Sequence, residues 1–307
     1  MQQNCPILRR APAGPARTRA EPTKRQNPSP EFSPMISLRR TAAALVCLAL
    51  LAAPALAKDK QAKYFADSMD FAMHDAIYTM YHEIGHMLVS ELELPVLGKE
   101  EDAADSLATI WLLTDDTDDD SWNALIDAAD GWYFNAVNST GSGVAEFSYY
   151  DDHSLDIQRA YAMVCMMVGY EPEVFGDTAD VYDLSEDRQE ACAYTYEQAL
   201  NSWNKLLQPY VGGSKKSSRV QIIYDDAGEY EEFAEELKSR GLLEHAAGLV
   251  SKRYALPNKV TFRATQCGEA NAYYSPSERE VTYCYELAEQ MFYLYLYDIV
   301  GWGGTAN

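Results

Sequence analysis

Apolar residues recur along this chain at two spacings, and the change from one to the other divides it. Over 64–93 they fall at helical intervals, with Phe71, Ile77, Met80, Ile84, Met87 and Leu88 close to one face, so one long helix is expected. The pattern stops at Leu94-Pro95, where proline ends a helix, and Gly98 makes a turn. It resumes at Glu100 and runs through Ala103, Ala104, Leu107, Ala108, Trp111 and Leu112. Further helices are expected over 121–129, over 154–167 behind a Ser154 cap, and over 187–207, where Cys192, Tyr196, Leu200, Trp203 and Leu207 keep the period. After a Gly-Ser-Lys run the texture changes. Residues 219–224 and 259–265 read as strands, 229–240 and 242–254 as helices, and 270–274 with 280–284 as a hairpin around Ser275-Pro276-Ser277. A tyrosine-rich apolar helix over 287–300 closes the chain. The expected fold class is α+β, predominantly α-helical, with a small C-terminal sheet. Residues 58–210 form its helical region, 211–218 a linker and 219–307 an α/β region.

The first 57 residues stand apart. Residues 1–34 are basic and proline-rich with no apolar period, so they cannot bury enough surface to fold. From Met35 a charged stretch ending in Arg39-Arg40, an apolar run over 41–53 and the small-residue site Ala55-Leu56-Ala57 read as a secretory signal peptide. The run is too short to span a membrane in a mature protein. Cleavage after Ala57 would remove eight Lys/Arg and two Asp/Glu, leaving 17 basic against 45 acidic residues and a net charge of −28. Such a charge excludes nucleic acid and anionic lipid as natural partners. Four cysteines would remain, Cys165, Cys192, Cys267 and Cys284, an even number that suits two disulfides in an exported chain, periplasmic or secreted. Proximity in sequence favours Cys165 with Cys192 and Cys267 with Cys284. The acidic run at 115–120 lacks the glycine and later glutamate of a calcium loop and reads as a solvated helix start.

Chemistry concentrates at 81–105, YHEIGHMLVSELELPVLGKEEDAAD. On a helix, the four-residue step from His82 to His86 puts both imidazoles on one face, spaced to share a metal ion. Glu83 is turned about 100° away, beside the ion, where a general base belongs. Catalytic zinc takes three protein ligands and keeps a position open for water, so a third ligand is needed. A tight return into the second helix brings Glu100, Glu101 and Asp105 near. Glu101 and Asp105 lie four apart on one face, so one can bind metal and the other accept the outward N–H of a ligand histidine. Glu100 competes for the ligand role. His74, two turns before His82 and about 80° off its direction, is too distant and reads as a packing or surface residue. Gly85 costs the helix about 1 kcal/mol against alanine, which points to close approach by another element, with substrate or a neighbouring strand as users of the space.

HEIGH followed by Glu-x-x-x-Asp on a second helix resembles the gluzincin, thermolysin-like metallopeptidases. More closely, HEIGH with LPVLGKEEDAAD, DDHSLDIQRAY at 151–161 and CGEANAYYSPSEREVTYCYEL at 267–287 resemble a bacterial family of proposed metallopeptidases that carry a domain of unknown function. The resemblance implies a zinc peptidase in which His82, His86 and Glu101 hold Zn2+, Asp105 orients a ligand histidine and Glu83 is the base. It also makes His153, followed by Asp156 and Arg159, the counterpart of the histidine that stabilises the oxyanion, with Tyr149 a weaker candidate for that donor. In familiar gluzincins a sheet precedes the motif, whereas here the strands follow it. Either the order is permuted and the sheet packs back beside the motif helix, which would cover its apolar face, or it is an accessory domain. The substrate would be a peptide or protein. A metal-binding protein without turnover, or an amidase acting on cell-wall peptides, are the competing classes.

Overall fold

A computed structural model describes residues 41–114, 119–139, 152–212 and 219–302. The expected leader at 1–34, the start of the export signal, most of the acidic run, Tyr149 and most of the linker lie outside them. Helix α1 (Thr41–Glu91) contains the motif. Its portion up to Tyr64 belongs to one unit, and the chain from Phe65 onward forms a second, compact one. Within that second unit come α2 (Glu100–Thr114), α3 (Asp119–Ser139), α4 (Asp156–Tyr170), α5 (Pro172–Val181) and α6 (Glu186–Leu207). Strand β1 (Val220–Tyr224), α7 (Glu231–Ser239), α8 (Leu242–Arg253) and β2 (Val260–Thr265) follow, then β3 (Ala272–Ser275), β4 (Glu280–Cys284) and α9 (Tyr285–Tyr293), which runs into a π-helical turn at Leu294–Ile299. The molecule is therefore α+β and mainly helical. None of its helices, among the described residues, is long and apolar enough to cross a membrane.

The periodicity over 64–93 predicts one buried face, but α1 is buried nearly all round from Ser68 to Glu91. Neighbours on every side account for this. Tyr81 meets Trp111 of α2 edge to face, and His74 bonds Asp127 of α3. His74 is thus neither a surface residue nor part of the motif's cluster. Phe71 packs on Tyr295 of the π turn. Glu91, at the helix end, accepts hydrogen bonds from Asn258 at 2.9 Å and Tyr274 at 3.0 Å and pairs with Arg279 at 3.3 Å. These last contacts bring the sheet beside the motif helix.

The sheet has the order β1-β2-β4-β3, with β1/β2 and β2/β4 parallel and β3/β4 antiparallel. Edge strand β3 bonds β4 through residues of one parity: the Asn271 carbonyl accepts from the Cys284 N–H. The backbone groups of Ala272 and Tyr274 therefore face the free edge. Helix α4 begins one residue later than a Ser154 cap would place it, with the Gln158 side chain accepting from the Leu155 N–H at 3.2 Å. Helix α5 is an element that periodicity did not reveal. It is short, opens on Pro172 and buries only Phe175, Thr178 and Ala179. Disulfides join Cys165 to Cys192 and Cys267 to Cys284.

Candidate metal centre

The first turn of α2 carries Glu100, Glu101 and Asp102, where carboxylates suit a helix N-terminus, and the eight-residue return from α1 sets this turn against His82 and His86. Glycine at 85 makes the approach possible. A Cβ there would stand 2.9 Å from the Ala104 Cα and 3.0 Å from its Cβ. The other element that approaches closely is helix α2 rather than a strand.

Three atoms converge as a result. His82 Nε2 lies 3.1 Å from His86 Nε2 and 3.1 Å from Glu101 Oε2, and His86 Nε2 lies 3.3 Å from the same oxygen. Donor atoms around a tetrahedral ion with bonds of about 2.0–2.1 Å are separated by roughly 3.3 Å, so the donor set fits a zinc-sized cation. The far nitrogens are held too. His82 Nδ1 lies 2.7 Å from Asp105 Oδ1 and His86 Nδ1 2.8 Å from Glu100 Oε1. A carboxylate only accepts, so each Nδ1 carries a proton, and with a cation standing between them and Glu101 each Nε2 would offer a lone pair. Glu100 thus faces the back of His86, and Glu101 presents its carboxylate to both Nε2 atoms.

Asp105 is the hub behind the cluster. Its Oδ1 also accepts from Tyr78 Oη at 2.8 Å and from Arg159 Nη2 at 2.7 Å, while Oδ2 accepts from Arg159 Nε at 2.7 Å. The Arg159 guanidinium lies 3.6 Å over the Trp132 ring and is buried. Arg159 is therefore enclosed behind the site rather than aimed at a substrate beside His153. Tyr78 escaped the sequence reading although a signal existed, since it stands four residues before His82 on the same helical face. The bidentate reach of Arg159 to Asp105 had no local signal.

His153 stands at the rim, its side chain half exposed, with Nε2 3.1 Å from Glu101 Oε2, and it lies outside the three-atom cluster. Its carbonyl accepts from Lys99 Nζ at 2.7 Å. Glu83 is buried, and the Tyr274 backbone N–H on the free edge of β3 bonds its carboxylate.

The electrostatics follow from this crowding. Burial alone would lower the His82 imidazole, but its hydrogen bonds to Asp105 and Glu101 outweigh that and bring it up to about 9. His86 moves up as well, burial opposing and Glu101 and Glu100 prevailing. Burial works to raise Glu101 and Asp105, yet their hydrogen bonds to the histidines, and to Arg159 for Asp105, hold both below the usual carboxylate range. Glu83 goes the other way, pushed up chiefly by burial. One carboxylate inclined to hold a proton stands beside others that shed it, which is how environment separates acid from base roles.

Two imidazole nitrogens and a carboxylate oxygen, converging beside a buried glutamate on an α+β scaffold, make a donor set of the metal-hydrolase kind. The chain belongs to the family DUF4344, whose description reads "Putative metallopeptidase", and the family model matches residues 40–207 and 224–297. No curated protein and no solved structure matches the chain.

Proposed function

We propose that this chain is an exported zinc-dependent peptidase of the gluzincin type. The observation that carries the reading is the convergence of His82 Nε2, His86 Nε2 and Glu101 Oε2 with Glu83 alongside. Those three residues would hold zinc, which when bound supplies Lewis acidity and makes water acidic enough to deprotonate near neutral pH. Glu83 takes the proton of the attacking water and returns it to the leaving amine, a shuttle helped by a carboxyl whose affinity for protons burial has raised. His153 donates from Nε2 to the oxygen on which negative charge develops, a contribution that acts in the transition state and not in substrate binding. Asp105 and Glu100 hold the two imidazoles in the tautomer that presents Nε2. The outward-facing carbonyls of Ala272 and Tyr274 on edge strand β3 support binding of an extended peptide by main-chain hydrogen bonds.

Export is part of the same reading: the charged, apolar and Ala55-Leu56-Ala57 stretches before residue 58 support it, as do the two disulfides. Residues 219–307, with the sheet against Glu91, complete the substrate side of the cleft rather than forming an independent accessory domain.

The test is elemental analysis and peptide hydrolysis by the purified protein and two variants. The parent should contain near-stoichiometric zinc, Glu101→Ala should lose it, and Glu83→Gln should keep zinc while kcat falls by roughly a thousandfold or more. Hydrolysis that survives Glu83→Gln, or a parent that takes up no zinc on reconstitution, would refute the reading. Including a muropeptide beside protein substrates separates a peptidase from a cell-wall amidase.

A further inference from the structure

We propose that Lys99 is a positioning residue whose ammonium holds His153 in place at the site, an inference that rests on the peptidase reading for the role of His153. His153 lies in a turn, three residues before the first helical residue of α4, and no ladder of helix or sheet supports its backbone. Its side chain is 51% exposed, and its Nε2 lies 3.1 Å from Glu101 Oε2. A contact at one ring nitrogen does not by itself fix the direction in which the ring points. The backbone must be fixed as well if Nε2 is to point at a developing charge, since an angstrom of misplacement can cost a hundredfold in rate.

Lys99 supplies that second point. Its Nζ donates to the His153 carbonyl at 2.7 Å, the length of a charge-assisted hydrogen bond. Its own carbonyl accepts from the Ala103 N–H at 3.3 Å, so its backbone is the start of α2, next to Glu100 and Glu101. One residue therefore ties the His153 turn to the helix that carries the carboxylate touching His153. The position is otherwise unfavourable for lysine, because a cation at a helix N-terminus opposes the macrodipole. A local rule broken in this way, with the ammonium reaching across to another element, is what a functional constraint produces.

The experiment compares Lys99→Met, Lys99→Arg, His153→Ala and the double variant Lys99→Met/His153→Ala in the full, zinc-reconstituted chain. It measures kcat and KM on a peptide, zinc content, and the rate at which diethyl pyrocarbonate modifies His153, located by peptide mapping. Lys99→Met should lower kcat roughly tenfold with KM and zinc unchanged, and Lys99→Arg should keep most of the rate. In the His153→Ala background the same change should have no further effect, because the two residues act as a unit. Labelling of His153 should speed up several-fold in Lys99→Met and not in a control, Lys252→Met. Equal losses in both backgrounds, loss of zinc in Lys99→Met, or unchanged labelling would overturn the proposal. A parent that holds zinc but cleaves no peptide would refute the peptidase reading, and the labelling rate would still decide whether Lys99 holds His153.

Discussion

Two buried aspartates on neighbouring helices meet opposite fates, and the difference lies in their partners. Asp105 receives His82, Tyr78 and both arms of Arg159, so burial is outweighed and it stays ionised. Asp75, on α1, receives one long hydrogen bond, 3.5 Å from Thr79, among the described residues. Burial pushes it up to about 7, against a partial opposing pull from Thr79 and Arg159, and Asp127 adds to the rise. Asp130 is likewise raised to about 7 by burial, despite the Tyr182 hydroxyl at 2.8 Å. A folded-state value above the unfolded one near 3.8 means that the native protein binds more protons between about pH 4 and 7. Stability should therefore fall as pH rises through that window and remain lower above it. Asp75→Asn removes this cost, so its unfolding free energy from urea titration should exceed the parent's at pH 8, by an amount on the order of a few kcal/mol at most, and the gap should close toward pH 5. In the metal-free protein His82 adds a loss of its own as pH rises from about 6.5 to about 9, which is why the comparison is of metal-free variant against metal-free parent at each pH. A gap that is constant from pH 5 to 8 would show that Asp75 ionises normally in the fold.

Helix pairs are set by two glycines, and they differ in what a methyl group would strike. At Gly85 the added carbon meets Ala104 Cα at 2.9 Å, and at Gly169 of α4 it meets the Cys192 carbonyl group and the Ala193 nitrogen, all backbone of α6. Alanine gains up to about 1 kcal/mol of helix propensity at either place, while forcing backbones apart costs roughly 1–3 kcal/mol, so both substitutions should destabilise. Only Gly85→Ala should also weaken zinc binding, because Ala104 is one turn from Glu101. Thermal midpoints with zinc titrations of both variants check this, and a Gly85→Ala protein of unchanged zinc affinity would mean that α2 adjusts without moving Glu101. The glycine inside the motif could be read as a close approach from sequence, but what approached it could not. The same boundary between local and distant runs through the whole chain. The His82–His86 step, the stop at Leu94-Pro95, the acidic start of α2 and most strands were legible, because each depends on residues a few positions apart. The all-round burial of α1 was not, since His74, Asp75, Glu83 and Glu91 are residue types expected at a surface until α3 and the sheet pack over them. Tyr78 and Lys99 were passed over as site residues, and Arg159 was read beside His153 rather than behind Asp105, for the same reason: their meaning lies in Asp105 and His153, 27 to 54 residues away.

Across the whole molecule the dominant feature is charge. The chain carries −22 in full, and the site itself adds Glu100, Glu101 and Asp102 within one turn. A cleft of one sign concentrates ligands of the other and speeds their encounter by about 10- to 1,000-fold at low salt. Salt shortens the reach of the field to about 10 Å at 0.1 M, so any advantage that depends on the whole surface must shrink as ionic strength rises. Two peptides of equal length and the same residues around the cut, one with lysines and one with glutamates at its far ends, separate this effect from pocket specificity. The cationic peptide should show the higher kcat/KM at about 20 mM salt, and the ratio should fall by roughly tenfold by about 200 mM, with kcat for each peptide nearly constant. That pattern places the preference in association, where a surface field acts. A preference that persists unchanged at high salt would place it instead in short-range contacts at the cleft, with Glu93 and Asp102, both exposed near the end of α1 and in the first turn of α2, the first residues to neutralise.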